Sequence, residues 1–164
     1  MRTVGRWLKT SKSWSNSSNQ ITDNSVSATL SKRRSCRSFI DREPPEGLVL
    51  DLIDKARRTP TAGIYNGVDF ILIDEKNLID DVWGVSFSEK DRSGFSFPGL
   101  FKAPALIIPF GVPSLYTDRY KENDKSYTNL GGDKKDWKVP YWLTDAAFAT
   151  MALQLLAIEV ELET

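Results

Sequence analysis

Four cations lie within the six residues from Lys32 to Arg37, in the sequence KRRSCR. Arginine suits phosphate because its planar guanidinium makes paired, charged hydrogen bonds, and the hydroxyl of Ser35 adds a further donor. A phosphate-binding segment is therefore one interpretation. The alternative is a solvated helix end, where cations suit the negative end of the helix dipole. Taken alone, the segment favours this alternative.

A second segment, Thr59 to Gly63 with the sequence TPTAG, follows the next predicted helix and precedes a predicted strand. Its small residues, 61–63, let backbone groups approach a flat ligand closely. Taken alone, TPTAG is more typical of a helix stop followed by a turn. Its position downstream of the cations favours a joint site instead, in which one segment holds a phosphate and the other lies against a ring.

Composition limits the chemistry that the side chains can perform. The 164 residues carry 22 Lys and Arg against 22 Asp and Glu, a balance that disfavours a general nucleic-acid binder. There is no histidine and only one cysteine, Cys36, which excludes Ser–His–Asp and Cys–His catalysis, an internal disulfide and a thiolate zinc site. We predict no metal site and expect a reducing, cytoplasmic compartment. If the protein is an enzyme, its difficult chemistry belongs to an organic cofactor.

The first 24 residues differ in composition from the rest. They are rich in Ser and Asn, and no acidic residue precedes Asp23. This composition predicts a flexible extension without the apolar core of a signal peptide. An organellar transit peptide and a mis-assigned start codon are both open at this point. Residues 25–164 are predicted to form one domain.

Helical and strand patterns alternate from Ser25 onward. Asn24 or Ser25 is the predicted N-cap of a first helix, and Pro44 and Pro45 are predicted in the first turn of a second. The second helix has an apolar face formed by Leu48, Leu52, Ile53 and Ala56. Further along, DFILID is predicted as a strand, KNLIDDVW as a short helix and SEKDRSGFSFPGL as a loop or flap with exposed aromatics. PALIIPF is predicted as a second strand, SLYTDRY as a short helical stretch and NLGGDKKDWKVP as a polar loop.

The final segment, YWLTDAAFATMALQLLAIEVELE, is apolar nearly all round and predicts a helix buried on most faces. A membrane span is the rival interpretation. Asp145 and Glu159 leave an uncharged run shorter than the roughly 20 residues that a span needs, so a core or subunit-interface helix is favoured. Asp145 follows Thr144 and is interpreted as an N-cap or first-turn acid rather than a catalytic base. No strand follows this helix, and we therefore expect an incomplete domain.

These segments, in this order, resemble the nitroreductase family of FMN-dependent oxidoreductases. The resemblance covers about Ser25 to Thr164 and rests on RRSCRSF, LVLDLIDKARRTPTAG, APALIIPFG and VPYWLTDAAFATMALQLLA. It implies an α+β fold with a central, mostly antiparallel sheet flanked by helices around a long buried helix. It also implies a homodimer with FMN at the subunit interface. NAD(P)H would reduce FMN, and an electron-poor acceptor such as a nitro compound or a quinone would then take the electrons.

The resemblance also assigns site residues, although it identifies no catalytic side chain. Arg33 and Ser35 would contact the FMN phosphate, with Arg34 near the ribityl-phosphate end. Arg37 would lie near the ribityl chain or the pyrimidine edge of the flavin. The isoalloxazine ring would be lined, largely through backbone, by Pro60, Thr61, Ala62 and Gly63, with Asn66 close to the flavin.

Two residues depart from the family pattern: Ile64 stands where many members have Asn, and Val68 where many have Trp. Members usually add strands after the long helix, with a basic residue for the phosphate. We therefore expect weak FMN binding, and the alternative is a non-catalytic or degenerate flavin-binding relative, or a partial gene product. Three aromatic residues are interpreted either as core or as a flap over the flavin: Phe95, Phe97 and Phe101.

Overall fold

The computed structural model describes residues 25–164, and the extension predicted for residues 1–24 lies outside them. Within this range the chain forms six α-helices and two β-strands, joined by loops and short 3-10 turns. In chain order they are α1 Val26–Lys32, α2 Leu48–Ala56, β1 Val68–Ile73, α3 Lys76–Ser86, α4 Glu89–Ser93, β2 Leu106–Gly111, α5 Pro113–Tyr120 and α6 Tyr141–Glu159. The α+β class is confirmed.

The two strands form an antiparallel pair in which Val68 lies opposite Gly111 and Ile73 opposite Leu106. Both strands coincide with the segments predicted from their apolar runs. Side chains alternate between the two faces of the pair. Phe70 points towards the core that α6 forms with α2, whereas Ile71 on the other face is 48% exposed.

The main core lies between α2 and α6. Leu52 and Ala56 of α2 are buried against Leu153 and Ala157 of α6. Burying one leucine side chain contributes about 1.5–3 kcal/mol relative to leaving it exposed. The apolar face predicted for α2 is therefore the face that packs, with Leu48, Ile53, Phe70 and Ile107 around its edge.

The long helix α6 buries one stripe of side chains, which consists of Asp145, Ala146, Ala149, Leu153 and Ala157. Other apolar side chains of α6 stay in solvent, including Leu143 at 59% and Phe148 at 56% exposure. In the described range, α6 is the one helix long and apolar enough to cross a membrane, a test that core helices of soluble proteins also pass. Within a single chain, α6 is therefore less buried than its apolar composition predicts.

Two local predictions need correction. Helix α2 begins at Leu48 with Gly47 as N-cap, so Pro44 and Pro45 precede the helix rather than forming its first turn. The left-handed conformation of Gly47, with φ at 74°, redirects the chain before the helix can start. The helix therefore starts after the turn made by the glycine, and the prolines lie on its approach.

The segment predicted as a loop or flap is mostly helical. It contains α4, capped by the side chain of Ser88, and a 3-10 turn from Pro98 to Lys102. Phe95 lies 5.5 Å from Phe101 between ring centroids and 6.0 Å from Phe97, in a cluster completed by Trp83 and Phe87. Mutual packing of these rings supports the core interpretation, with Phe97, 47% exposed, at the edge of the cluster.

Gly111, at the end of β2, offers a test of how closely the strand approaches α6. A Cβ atom there would clash with the backbone carbonyl oxygen of Trp142. Because neither backbone can move freely, we expect Gly111→Ala to lower the free energy of unfolding by about 1–3 kcal/mol, measured by urea denaturation.

Gly84→Ala is the matched control, since nothing lies within 4 Å of its added Cβ. Gly84 is inside α3, where alanine is favoured over glycine by about 1 kcal/mol, so the control should gain stability. A gain for Gly111→Ala as well would contradict the close approach of β2 and α6.

Candidate functional site

The TPTAG segment ends in a tight turn that we call the ring loop, residues 61–64. It contains a 3-10 turn from Ala62 to Ile64, between α2 and β1, with Gly63 in the left-handed region at φ 76°. The N–H of Ala62 donates to Oδ2 of Asp145 at 2.8 Å. Nε of Arg119 donates to the carbonyl oxygen of Gly63 at 3.0 Å. Two peptide groups of the ring loop, 61–62 and 63–64, are thus held by side chains from two different helices.

Asp145 is the buried centre of this arrangement, with 3% of its surface exposed. Its Oδ2 also accepts a hydrogen bond from the hydroxyl of Tyr116 at 2.9 Å. The interpretation of Asp145 as an N-cap or first-turn acid is wrong, because α6 starts at Tyr141 with Pro140 as N-cap. Asp145 lies on the side of α6 that faces the ring loop, and there its carboxylate binds backbone of the loop instead of its own helix.

Tyr116 of α5 forms the floor below this region and is completely buried. Its burial, then its hydrogen bond to Asp145 and the charge of that carboxylate, raise the pKa of the Tyr116 hydroxyl above its ordinary value. The hydroxyl therefore stays protonated and keeps donating at neutral pH. The backbone of Gly67 passes over the Tyr116 ring so closely that a Cβ atom there would clash with the ring.

Arg119, also on α5, is held in place by two carboxylates. Its terminal nitrogens bind Asp124 at 2.7 and 2.8 Å, and one of them also binds Glu122 at 3.1 Å. The hydrogen bond to Asp124 raises the pKa of Arg119 and lowers that of Asp124. Sequence reasoning missed Arg119 and Tyr116, because nothing in SLYTDRY shows which residues its helix packs against.

The cationic segment, Lys32 to Arg37, continues from the end of α1 without regular secondary structure beyond Lys32. Arg33 is the C-cap of α1, and its N–H donates to the carbonyl oxygen of Thr29 at 2.9 Å. Arg34 donates to the carbonyl oxygens of Ser31 and Arg33, and Arg37 lies 5.4 Å from the centre of the Phe97 ring.

Three arginines of this segment lack carboxylate partners in the described part of the chain. Within residues 25–164, no carboxylate forms an ion pair with Arg33, Arg34 or Arg37. Ser35 beside them is exposed to solvent. The segment therefore presents cations and a hydroxyl to whatever lies next to it.

The two predicted parts of the site are attached near opposite ends of α6. The ring loop is attached to Asp145, near the start of α6, whereas the N–H of Cys36 donates to the carbonyl oxygen of Thr164, beyond the end of α6. About 21 Å of helix separates Asp145 from Glu159 at 1.5 Å per residue. Asn66 is exposed on the stretch that leads into β1.

A cavity of about 420 Å³ lies elsewhere, lined by residues 43–47, 49 and 50 together with Leu72, Asp74, Pro104 and Ala105. None of the residues predicted to bind cofactor lines it. The chemistry assigned to the cations and the ring loop therefore does not belong to this cavity.

Ile64 is strained, and the strain can be tested. It adopts φ 54° with 96% of its surface exposed, a conformation that β-branched residues avoid and asparagine tolerates. We expect Ile64→Asn to raise the free energy of unfolding by about 1 kcal/mol in urea denaturation. Ile64→Val keeps the branch at Cβ and should show no gain. Equal stability of all three proteins would contradict the strained conformation.

Comparison with known proteins agrees with this architecture. The family model described as the Nitroreductase family matches residues 30–163, and the chain belongs to that family. No curated protein matches the sequence.

Three solved structures show the same fold. A BluB-like flavoprotein from Clostridium difficile has a TM-score of 0.54 at 20% identity, over 82% of this chain and 70% of that one. A putative NADH oxidase from Clostridium acetobutylicum has a TM-score of 0.54 at 20% identity, over 81% and 63%. A putative NAD(P)H:FMN oxidoreductase from Staphylococcus epidermidis has a TM-score of 0.55 at 18% identity, over 83% and 70%. The chain thus spans about two thirds of the length of these relatives.

Proposed function

We propose that the protein is an FMN-dependent oxidoreductase that takes electrons from NAD(P)H and passes them to an electron-poor acceptor such as a nitro compound or a quinone. The observation that carries the proposal is the segment Arg33 to Arg37, whose arginines lack carboxylate partners in the described part of the chain. A phosphate group would supply the missing charge. Membership of the nitroreductase family supports flavin as the group that bears this phosphate.

FMN, when bound, would accept a hydride and release electrons to the acceptor, and the protein would bind and orient it. Arg33 and Ser35 offer charged and hydroxyl donors for the phosphate, and Arg34 lies beside them. Arg37 lies over the Phe97 ring and would lie near the ribityl chain or the pyrimidine edge of the flavin.

The ring loop would lie against the isoalloxazine ring. Thr61, Ala62 and Gly63 are small, and the backbone at Gly63 leaves no room for a side chain on the protein side, where a Cβ would lie 2.9 Å from the Tyr120 ring. Pro60 and Asn66 are exposed on either side of the loop. The loop is thus a thin, supported edge that a flat group can approach closely.

The separation of the two parts supports a homodimer with FMN at the subunit interface. One chain would provide the cations, and its partner the ring loop. The exposed apolar side chains of α6, such as Leu143 and Phe148, would be covered in such a dimer. In this proposal residues 25–164 form the FMN-binding domain, and α6 is an interface helix rather than a membrane span.

The test is FMN titration of the purified chain, followed by NAD(P)H oxidation with a nitro compound or a quinone as acceptor. Saturable FMN binding with acceptor-dependent oxidation supports the oxidoreductase. Binding without oxidation supports the second candidate, a non-catalytic flavin-binding relative, which the apolar and exposed Ile64 favours because many members have Asn there. Absence of FMN binding would overturn both.

A further inference from the structure

We propose that Asp145 and Arg119 are positioning residues for the flavin, which hold the ring loop in the left-handed turn that presents its small residues to the ring. The inference rests on the proposed function, because it names the flavin as the group that the loop serves. The contacts that carry it are between atoms of this chain alone.

The two side chains come from different helices and bind the peptide groups on either side of the Ala62–Gly63 peptide. Asp145 of α6 accepts from the N–H of Ala62, and Arg119 of α5 donates to the carbonyl oxygen of Gly63. The first bond spans 83 positions of sequence and the second 56, so neither arises from local turn formation. Together they hold the two peptide groups that flank the one between Ala62 and Gly63.

The loop needs such support because its conformation is unfavourable by itself. Gly63 and Ile64 are consecutive residues with φ of 76° and 54°. Ile64 is 96% exposed, so packing of its own side chain does not compensate for the strain. Strained backbone of this kind persists only where surrounding contacts impose it. Asp145 and Arg119 provide those contacts.

Each positioning residue is itself held rigidly. Oδ2 of Asp145 binds the hydroxyl of the buried Tyr116, and Arg119 is paired with Asp124 through two hydrogen bonds. The ring of Tyr120 lies directly below Gly63. Both side chains are therefore oriented before any ligand arrives, as a binding site that is preorganised requires.

The experiment compares Asp145→Ala, Asp145→Asn and Leu153→Ala in the full chain, with two measurements. The first is hydrogen exchange of the Ala62 amide in FMN-free protein. The second is the FMN dissociation constant, with the visible circular dichroism of the bound flavin. Leu153 is the matched control, because it is buried on the same helix but packs against α2 rather than the ring loop.

We expect Asp145→Ala to accelerate exchange of the Ala62 amide and to raise the FMN dissociation constant, each on the order of tenfold, as for the loss of one hydrogen bond. Asp145→Asn keeps an oxygen that accepts from Ala62 and should recover most of both effects. Leu153→Ala should lose thermal stability and keep FMN affinity and flavin spectrum. If Asp145→Ala does not fold, Arg119→Lys tests the same role, since lysine keeps the charge but lacks the Nε donor to Gly63.

Unchanged Ala62 exchange in Asp145→Ala would overturn the proposal, as would equal effects of Leu153→Ala on the flavin. Normal FMN affinity and spectrum in Asp145→Ala, despite faster exchange, would overturn the positioning role and leave the proposed function intact. The wild-type chain could also fail to bind FMN while Asp145→Ala still accelerates exchange of the Ala62 amide. That result would contradict the proposed function but not the support of the loop by Asp145.

Discussion

Tyr116→Ala is expected to lose about 3–5 kcal/mol of unfolding free energy, the cost typical of removing a large buried aromatic side chain. Tyr116 is completely buried, with its ring against Gly67 and near Trp137 and Trp142. Truncation leaves a cavity under the start of β1 and removes a donor from the buried carboxylate of Asp145. The total free energy of unfolding of a typical domain is only about 5–15 kcal/mol, so this variant should be close to unfolding.

Urea denaturation followed by near-ultraviolet circular dichroism measures the loss. Tyr127→Ala is the matched control, because Tyr127 is 78% exposed and its removal should change stability by about 0.5 kcal/mol or less. Similar losses for the two tyrosines would show that Tyr116 does not form the buried floor of the site.

The raised pKa of Tyr116 also predicts how the stability of the protein changes at alkaline pH. Burial, followed by the hydrogen bond to Asp145, raises the pKa of Tyr116 above its ordinary value of 10.0. Above that value the unfolded chain has released a proton that the folded chain still holds, so the free energy of unfolding falls as pH rises. The stability that protonated Tyr116 contributes is therefore fully present below pH 10 and is lost as the pH rises above it. Tyr116→Phe, which cannot ionise, should decline less steeply in urea denaturation series across this range.

Arg33→Ala is expected to raise the FMN dissociation constant by roughly ten- to hundredfold, about 1.5–3 kcal/mol, as for the loss of a charged hydrogen bond. Arg33 is half-buried and is the C-cap residue of α1. Fluorescence titration of FMN measures the change, and the loss should be smaller at high salt, which screens the phosphate contact.

Arg42→Ala is the control for a general effect of charge, since Arg42 is an exposed arginine outside the cationic segment. It should bind FMN as the wild type does. Equal affinity of Arg33→Ala and wild type would remove Arg33 from the phosphate site, while equal weakening in both variants would indicate non-specific attraction.

Local sequence signals were sufficient for most of the secondary structure. Ser25 is the N-cap of α1, and its Oγ accepts from the N–H of Ala28 at 3.1 Å, as its residue type predicts. The two strands followed from apolar runs, and α6 from its length and composition. The family was also recognisable from the sequence, because its segments keep their order and spacing. The roles predicted for the cations and for TPTAG stay predictions.

Tertiary structure decided what supports the ring loop and how the two parts of the site are arranged. Asp145 reaches Ala62 across 83 positions, and Tyr116 reaches Asp145 across 29. Such pairs depend on how helices pack, and no local pattern of residue types encodes them. The same packing attaches the cations and the ring loop near opposite ends of α6. The two segments are only about 25 positions apart in the sequence. In the folded chain, helix α6, with a rise of about 1.5 Å per residue, separates the points to which they are attached.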